Sequence, residues 1–253
     1  MKVAIAGAGG RMGQALIDAV LADRSLTLAA AFELAGSPAV GRQVGGIRIG
    51  SDPDAAIAAA DVLIDFTRPQ ASLAHLRRAK AMVIGTTGFS DSERKEVQAA
   101  AKRIPIAMAA NFAVGVNAVY KLAETAARIL GDAYDVEIIE AHHRHKVDAP
   151  SGTALALGEI ISRTLNRDLK AEARHGRSGD TGARPPRQIG FHAIRGGDIV
   201  GEHTVLFAGT GERVEITVRS QSRATYATGA LRAAKWLAAR PPGLYDMADV
   251  LGV

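Results

Sequence analysis

The stretch KVAIAGAGGRMGQALIDAVLA, residues 2–22, predicts how the first half of the chain folds. Residues 2–6 are typical of a short buried strand, and the glycines that follow require a tight turn. After that turn, Met12, Leu16 and Val20 recur at helical spacing. A strand, a glycine-rich loop and a helix in this order are the setting in which such a loop binds a dinucleotide.

The loop GAGGRMG spaces Gly7, Gly10 and Gly13 as G-x-x-G-x-x-G rather than in the commoner G-x-G-x-x-G pattern. Glycine lets a backbone approach a pyrophosphate closely, and free N–H groups at a helix start favour negative charge. Glu33 follows at the end of the second predicted strand, where a carboxylate accepts hydrogen bonds from an adenine ribose. A glycine-rich turn without a ligand is the alternative, and dinucleotide binding is the favoured interpretation.

Strands and helices alternate over the first 112 residues, which predicts a parallel sheet with helices on its faces. Asp52 is a predicted N-cap, and Ser90 with Glu93 forms a capping-box pattern. We therefore predict an α/β fold, with a parallel-sheet domain and a smaller α+β domain with an open sheet. The expected dinucleotide-binding domain comprises residues 1–112 and 223–253, and the expected second domain comprises residues 113–222.

Within the second domain we predict two helices and a sheet. The predicted segments are a long helix at 113–130, a strand at 134–143, a helix at 151–165, a Gly/Arg/Pro-rich loop at 174–187 and three or four strands at 189–220. The glycine-rich turns RGGD and GTGE are expected to be hairpin connections. A final helix at 226–240 is expected to pack back onto the first half.

The composition, 47% hydrophobic and 23% charged, is that of an ordinary globular protein. The absence of cysteine excludes disulfides, thiolate zinc sites and a cysteine nucleophile, and is compatible with the reducing cytoplasm, the expected location. The first residues lack the long apolar run of a signal peptide, and no apolar segment is long enough for a membrane helix.

A net charge of +5 raises the possibility of nucleic-acid binding, but aromatic residues, at 4%, are too scarce for base stacking. Basic residues are spread along the chain apart from clusters at 142–146 and 174–187. We therefore expect an enzyme that acts on small anionic molecules, without a nucleic-acid or membrane partner.

The stretch EAHHRHKVDAPSGTA, residues 140–154, contains the densest cluster of candidate functional side chains. His142 and Lys146 are four residues apart and would share a face in either a strand or a helix. Ser151 is a predicted N-cap, and Lys146 with the free N–H groups and the hydroxyl of Thr153 would receive a carboxylate or phosphate. A metal site is disfavoured because Arg144 and Lys146 repel a cation, and a solvated loop would leave the helix start unexplained. One histidine acting as an acid beside an anion pocket is the most economical interpretation.

The chain resembles the dihydrodipicolinate reductase family. The motifs that carry the resemblance occur in order from near residue 7 to near residue 237: GAGGRMG, DFT, GTTGF, AANFAVGVN, EAHHRHKVDAPSGTA, RGGDIVGEH and GALRAAKWL. The resemblance implies a Rossmann-type parallel-sheet domain, a smaller α+β domain with an open mixed sheet that assembles homotetramers, and reduction by NADH or NADPH. The implied substrate is the cyclic dicarboxylate made from aspartate semialdehyde and pyruvate, and the product leads to diaminopimelate and lysine.

The resemblance also implies the roles of particular residues. After loss of water and hydride delivery to C4, His142 would protonate the neighbouring carbon, assisted by Lys146. The implied substrate-binding residues are His143, Ser151, Gly152 and Thr153. The implied cofactor-binding residues are Gly7, Ala8, Gly9, Gly10, Arg11, Met12, Glu33, Gly85, Thr86, Thr87, Ala109, Ala110, Asn111 and Phe112. No metal is expected.

Three questions stay open at this point. Leu34 stands where family members that accept either cofactor often carry arginine, which favours NADH, although Arg42 or Arg68 could supply a charge from elsewhere. The loop at 174–187 is either a mobile lid or a solvated surface, and the strand at 213–219 could contribute to a subunit interface. A dinucleotide-sensing module without turnover is the main rival, and the intact pair of His142 and Lys146 argues against it.

Overall fold

The computed structural model describes residues 1–253, and its elements are numbered along the chain. The strands are β1 (Lys2–Ala6), β2 (Thr27–Phe32), β3 (Gln43–Val44), β4 (Ile47–Arg48), β5 (Val62–Asp65), β6 (Met82–Ile84), β7 (Pro105–Met108), β8 (Asp135–His142), β9 (Ala173–His175), β10 (Ile189–Arg195), β11 (Gly201–Ala208), β12 (Arg213–Ser220) and β13 (Gly243–Tyr245). The helices are α1 (Arg11–Ala22), α2 (Pro53–Ala58), α3 (Pro69–Leu76), α4 (Asp91–Ala101), α5 (Val114–Leu130), α6 (Gly152–Thr164), α7 (Leu169–Glu172), α8 (Ala224–Leu237) and α9 (Met247–Leu251). None of these helices has both the length and the apolar composition that a membrane crossing requires.

The chain forms two compact units, residues 1–114 with 223–253 and residues 115–222. In the first unit the strand order is β13-β7-β6-β5-β1-β2, and every pair is parallel. Strands β5 and β6 are buried along their whole length, as expected where helices cover both faces of a parallel sheet. The predicted Rossmann-type sheet is confirmed.

Strand β1 has β2 on one side and β5 on the other, so the strand order reverses at β1. In such a sheet the loops at the carboxyl ends beside the reversal open a crevice, which is where ligands bind. The predicted glycine loop follows β1, and the DFT motif ends β5. The topology therefore brings two of the family motifs to one edge of the sheet.

The predicted helix starts are confirmed by their caps. The Asp52 side chain accepts from the backbone N–H groups of Asp54 and Ala55 at the start of α2. Ser90 and Glu93 form a reciprocal capping box at the start of α4. Each cap gives a partner to N–H groups that the helix itself leaves free.

The end of the chain belongs to the first unit, as the sequence predicted for its final helix. Buried apolar side chains of α8 join the core on one face of the parallel sheet. Gly229 allows this approach, because a Cβ atom there would lie 1.7 Å from the carbonyl oxygen of Phe112. Strand β13 then extends the sheet by pairing with β7, and neither β13 nor α9 was predicted.

The second unit has a mixed sheet in the order β12-β11-β8-β10-β9. Side chains of β8 such as Val136 and Ile138 pack with α5 and α6 in a separate apolar core. Along β11, buried residues alternate with half-buried ones such as Thr204 and Leu206, which lie on the opposite face. The predicted smaller domain with an open mixed sheet is confirmed.

Two local predictions for the second unit were wrong. The turn RGGD does not form a hairpin, because β10 and β11 lie on opposite sides of β8 and the connection passes over its end. The expected loop at 174–187 begins inside a strand, since Arg174 and His175 belong to β9. The turn GTGE is a hairpin, because Ala208 of β11 pairs with Arg213 of β12 in antiparallel fashion.

Candidate functional site

In the glycine motif that follows β1, particular positions have no room for a side chain. Gly7 has a φ of +67°, and a Cβ atom there would lie 2.9 Å from Cγ2 of Thr67. A Cβ atom at Gly13 would lie 2.1 Å from the carbonyl oxygen of Gly7, so the start of α1 packs directly on the loop backbone. Gly10 caps α1 without a side chain, and no acidic residue lies in the first turn. The loop is therefore a backbone cradle that suits a pyrophosphate.

Glu33 points towards this loop. Its Oε2 accepts a hydrogen bond from the backbone N–H of Gly9 at 3.0 Å, and its Oε1 accepts one from the N–H of Leu34 at 3.0 Å. The loop and the carboxylate predicted to bind ribose are thus in contact. Leu34 is 76% exposed, and Arg42 and Arg68 are exposed as well.

A buried polar network lies beneath the next two loops. Asp65 accepts from the N–H and the hydroxyl of Thr67, at 2.9 and 2.6 Å, and its other oxygen lies 2.7 Å from Nδ1 of His75. The hydroxyl of Thr86 accepts from the N–H of Thr67 at 3.0 Å and lies 2.8 Å from Oγ of Ser72. Thr86 is buried, and its hydroxyl links its own loop to the backbone of Thr67.

The loops at 85–87 and 109–112 meet through aromatic rings. Gly85 packs against Phe66, since a Cβ atom there would lie 2.1 Å from the ring, and the rings of Phe66 and Phe112 are 5.6 Å apart. Phe112 is buried, whereas Thr87 and Ala110 are exposed. These two predicted cofactor segments are therefore neighbours at the carboxyl end of the sheet.

A cleft of about 380 Å³ adjoins these two segments. Its lining includes residues that the sequence did not point to, because no role was assigned to the end of the chain. The lining residues are Thr86, Thr87, Gly88, Phe89, Arg94, Met108, Ala109, Ala110, Leu244, Tyr245, Asp246 and Asp249.

In the second unit, His142 ends strand β8 and is 9% exposed. Its Nδ1 lies 2.6 Å from Oε2 of Glu140, which precedes it by two residues on the same face of the strand. Burial lowers the pKa of His142 below its ordinary value, although Glu140 opposes that shift. The ring of His203, on the neighbouring strand β11, packs edge-on against the ring of His142 at 5.1 Å.

The chain turns immediately after His142, and this corrects the prediction for Lys146. The N–H of Lys146 donates to the carbonyl oxygen of His143 at 3.1 Å, so residues 143–146 form a turn that is neither strand nor helix. Lys146 Nζ lies 2.8 Å from both carboxylate oxygens of Asp148, and this hydrogen bond lowers the pKa of Asp148. His143 has a buried Nδ1 without a hydrogen-bond partner. The predicted anion receptor thus contains a lysine already paired with a carboxylate of the chain.

Ser151 caps α6 as predicted, accepting from the N–H of Ala154 at 3.2 Å. Its hydroxyl also lies 2.9 Å from Nε2 of His203, and its own N–H donates to Glu140 at 3.1 Å. The hydroxyl therefore has two hydrogen-bond partners within the protein. Around Gly152 the space is open, since a Cβ atom there would meet nothing within 4 Å.

Sequence reasoning missed the residues that hold His142 in place. Arg195 donates to both oxygens of Glu140, at 2.7 Å each, and His203 contacts Ser151. The spacing of Glu140 and His142 within EAH was a usable signal, because alternate residues of a strand share a face. Arg195 and His203 lie in the motif RGGDIVGEH, too far along the chain for spacing to reveal the contact. The structure contains no group of three histidine or carboxylate side chains arranged to hold a metal ion.

Comparison with known proteins assigns the chain as a whole. The family model described as dihydrodipicolinate reductase, N-terminus, matches residues 1–112, and the one described as dihydrodipicolinate reductase, C-terminus, matches residues 115–251. This chain belongs to the dihydrodipicolinate reductase family. The predicted resemblance is confirmed, and family membership supports a nicotinamide dinucleotide, NADH or NADPH, as cofactor.

Relatives of known name agree across the full length. The chain is 60% identical to the 4-hydroxy-tetrahydrodipicolinate reductase of Aromatoleum aromaticum, over 100% of this chain and 96% of the relative. It is 55% identical to the reductase of the same name from Thiobacillus denitrificans, over 100% and 99% of the two chains. Among solved structures it resembles a dipicolinate-bound dihydrodipicolinate reductase from Paenisporosarcina sp. TG-14, with a TM-score of 0.81, 26% identity and 98% of each chain covered.

Proposed function

We propose that this protein reduces 4-hydroxy-tetrahydrodipicolinate to tetrahydrodipicolinate, with His142 as the proton donor. The observation that supports this most is the pairing of His142 with buried Glu140 beside the open start of α6 and Lys146. An acid next to groups that attract carboxylates is what the reduction of a cyclic dicarboxylate needs. We place the reaction in the cytoplasm, as a step towards diaminopimelate and lysine.

The reaction removes water from the hydroxylated ring, adds a hydride at C4 and adds a proton at the neighbouring carbon. Bound NADH or NADPH supplies the hydride. Gly7 to Met12, Glu33, Gly85 to Thr87 and Ala109 to Phe112 would hold that cofactor, a role that the side-chain-free cradle at Gly7 and Gly13 supports. His142 transfers the proton, and Lys146 stabilises the developing negative charge.

The substrate carboxylates would be held by the N–H groups of Gly152 and Thr153, by Lys146 and by His143. The open space around Gly152 and the unpartnered Nδ1 of His143 support this assignment. Because Asp148 accepts from Lys146, a substrate carboxylate would replace Asp148 as the partner of the lysine. Ser151 contributes by fixing the helix start, since its hydroxyl is already used.

The test of activity is the oxidation of NADH, and then of NADPH, by the purified protein. The substrate is made freshly from pyruvate and aspartate semialdehyde by dihydrodipicolinate synthase. We expect rapid oxidation that persists in a chelator, with the larger kcat/KM for NADH because Leu34 provides no charge for a 2′-phosphate. Tight binding of NADH without oxidation would indicate a dinucleotide-sensing module instead.

A second test concerns the proton donor. We expect His142→Gln to lower kcat by about 10²- to 10⁴-fold, the usual contribution of a general acid, and to leave the Kd for NADH within about twofold. Steady-state kinetics and quenching of protein fluorescence by NADH measure the two quantities. A parallel loss of both would mean that His142 is not the acid.

We further propose that the protein assembles as a homotetramer through the open face of the mixed sheet. The side chains of Ile139, Thr204 and Leu206 line that face, and Ile194 on β10 is 52% exposed. Ile139, Leu206 and Ile194 are at least partly exposed there among charged side chains such as Glu137 and Glu215, and copies of the same chain are the occupants that the family resemblance implies.

A further inference from the structure

Glu140 is the one buried carboxylate of the second unit. It is 1% exposed, and it is not among the residues proposed to hold the substrate. Its Oε2 faces Nδ1 of His142 at 2.6 Å and Nη1 of Arg195 at 2.7 Å. Its Oε1 accepts from the N–H of Ser151 at 3.1 Å and from Nη2 of Arg195 at 2.7 Å. Each carboxylate oxygen therefore has two hydrogen-bond partners, and the partners belong to three residues: His142, Ser151 and Arg195.

We infer that Glu140 and Arg195 are positioning residues that together set the orientation, the tautomer and the proton affinity of His142. The inference rests on the proposed role of His142 as proton donor. Neither residue is proposed to touch the substrate, so both would act through the imidazole.

The tautomer follows from the donors around Glu140. A guanidinium that donates to both oxygens keeps the carboxylate ionised, and an ionised carboxylate can only accept hydrogen bonds. Nδ1 of His142 must then carry a hydrogen, which leaves Nε2 as the nitrogen available to the substrate. Burial alone would raise the pKa of Glu140, but the hydrogen bonds from Arg195 and His142 outweigh burial and lower it.

The proton affinity of His142 results from opposed charges. Glu140 stabilises the imidazolium form, while Arg195 and Lys146 destabilise it. Asp148 is bonded to Lys146 and offsets part of that charge. His203 lies against the same ring, and burial lowers the pKa of His203 to about 4, so it is uncharged near neutral pH. Removing Glu140 or Arg195 should therefore move the proton affinity of His142 in opposite directions.

The same two residues hold the segment that leads to α6. Arg195 Nη2 donates to the carbonyl oxygen of Asp148 at 2.7 Å, and Glu140 accepts from the N–H of Ser151. A single ion pair thus fixes the proposed acid and the proposed anion-binding helix start at once. A shift of the pair would misalign both, and misplacement of about 1 Å is enough to slow an enzyme by about 10²-fold.

The decisive experiment is an NMR titration of ¹⁵N-labelled histidine in the unliganded full-length protein, which does not depend on turnover. The His142 signals are those missing from His142→Gln. We expect Nδ1 to be protonated and Nε2 bare in the neutral form. We expect Glu140→Gln to lower the pKa of His142 by about one unit and Arg195→Gln to raise it by about one unit.

Asp132→Asn is the matched control, because Asp132 also accepts two hydrogen bonds from a buried arginine, Arg167, in the same unit. It should leave the His142 titration unchanged. Arg195→Lys keeps the charge but cannot donate to both oxygens of Glu140 in the same geometry. The pKa of His142 in this variant should therefore lie between its values in the wild type and in Arg195→Gln. If Glu140→Gln does not fold, Arg195→Lys and Arg195→Gln decide the question.

Kinetics complete the test. Glu140→Gln should reduce kcat about 10²-fold, leave the Kd for NADH within about twofold, and move the alkaline limit of kcat to lower pH. Shifts of the same sign in the Glu140 and Arg195 variants, or an unshifted titration in folded Glu140→Gln, would overturn the inference. A wild-type protein that fails to oxidise NADH would contradict the proposed function instead, and the titration would still decide whether the ion pair controls the imidazole.

Discussion

Leu34 is the residue on which the choice of cofactor turns. It is 76% exposed beside Glu33, whose carboxylate faces the glycine loop. We expect Leu34→Arg to raise the ratio of kcat/KM for NADPH to that for NADH by about tenfold, since one charge-assisted hydrogen bond to a phosphate contributes about 1.5–3 kcal/mol. Steady-state kinetics with each cofactor measure the ratio.

The matched control for this change is Leu122→Arg, which adds the same charge at a leucine that is 55% exposed on α5. It should leave the ratio unchanged. An equal effect of the two variants would show that overall charge, rather than the position beside Glu33, governs the preference.

Individual residues were predictable from sequence where the chemistry is local. The helix start at Ser151 follows from neighbours within a few positions, whereas the role of His142 stays a prediction. The partners of Glu140 do not, because Arg195 is 55 residues away and only the pairing of β8 with β10 brings the two together. Lys146 was misjudged because a turn, not a strand or a helix, carries it.

At the level of elements, the packing of α1 on the glycine loop depends on Gly13. We expect Gly13→Ala to destabilise the protein by about 1–3 kcal/mol, because its Cβ atom would lie 2.1 Å from the carbonyl oxygen of Gly7. The loop would shift, so the Kd for NADH should rise at least tenfold. Urea unfolding and fluorescence titration measure the two effects.

Gly50→Ala is the control, because a Cβ atom there would meet its nearest neighbour only at 4.0 Å. Both stability and NADH affinity should stay close to the wild type. Unchanged NADH affinity in a folded Gly13→Ala protein would contradict the assignment of this loop as the phosphate cradle.

The loop at 176–187 is held to the sheet by ion pairs between side chains. Arg177 and Arg184 donate to Glu137, and His192 lies 2.7 Å from the same carboxylate. Burial alone would raise the pKa of Glu137, but these hydrogen bonds outweigh it and bring the pKa to about 2. The choice left open between a mobile lid and a solvated surface now favours a loop that is tied down near neutral pH.

This linkage predicts how stability depends on pH. Since the folded pKa of Glu137 lies below the ordinary value of 4.5, its contribution is complete above about pH 5 and is lost as the pH falls towards 2. The contribution is on the order of 3 kcal/mol at most. We expect Glu137→Gln to be less stable than the wild type at pH 7, with the gap narrowing by pH 3 in urea unfolding. A gap that does not change with pH would refute this account.

Element types were easier to predict than element neighbours. Apolar periodicity and capping residues are local, so the helices and the parallel strands of residues 1–112 were found, whereas β13 and α9 were not. A glycine-rich turn shows that the chain reverses but not which strand it pairs with next. That is why RGGD was mistaken for a hairpin, although β8 lies between the two strands that it connects.

For the molecule as a whole, the proposed tetramer depends on the open sheet face. We expect Leu206→Arg to dissociate the assembly, because the longer side chain overfills a packed interface and its charge loses water there, even beside Glu137 and Glu215 on the neighbouring strands. Light scattering coupled to size-exclusion chromatography measures the mass. Ile129→Arg, at a residue of α5 that is 76% exposed, should leave the mass unchanged. A wild-type monomer would rule out the proposal.

The discontinuous first unit has a consequence for biosynthesis. Helix α8 and strand β13 are translated after all of residues 115–222, yet α8 packs with α1 on one face of the parallel sheet and β13 pairs with β7. While the ribosome is still making the second unit, the first therefore has a partly uncovered apolar face and an unpaired strand edge, both of which favour aggregation. The usual order, in which the amino-terminal domain folds first during synthesis, is reversed here. The second unit can be complete on the nascent chain, and the first reaches its final form only when residues 223–253 have left the exit tunnel.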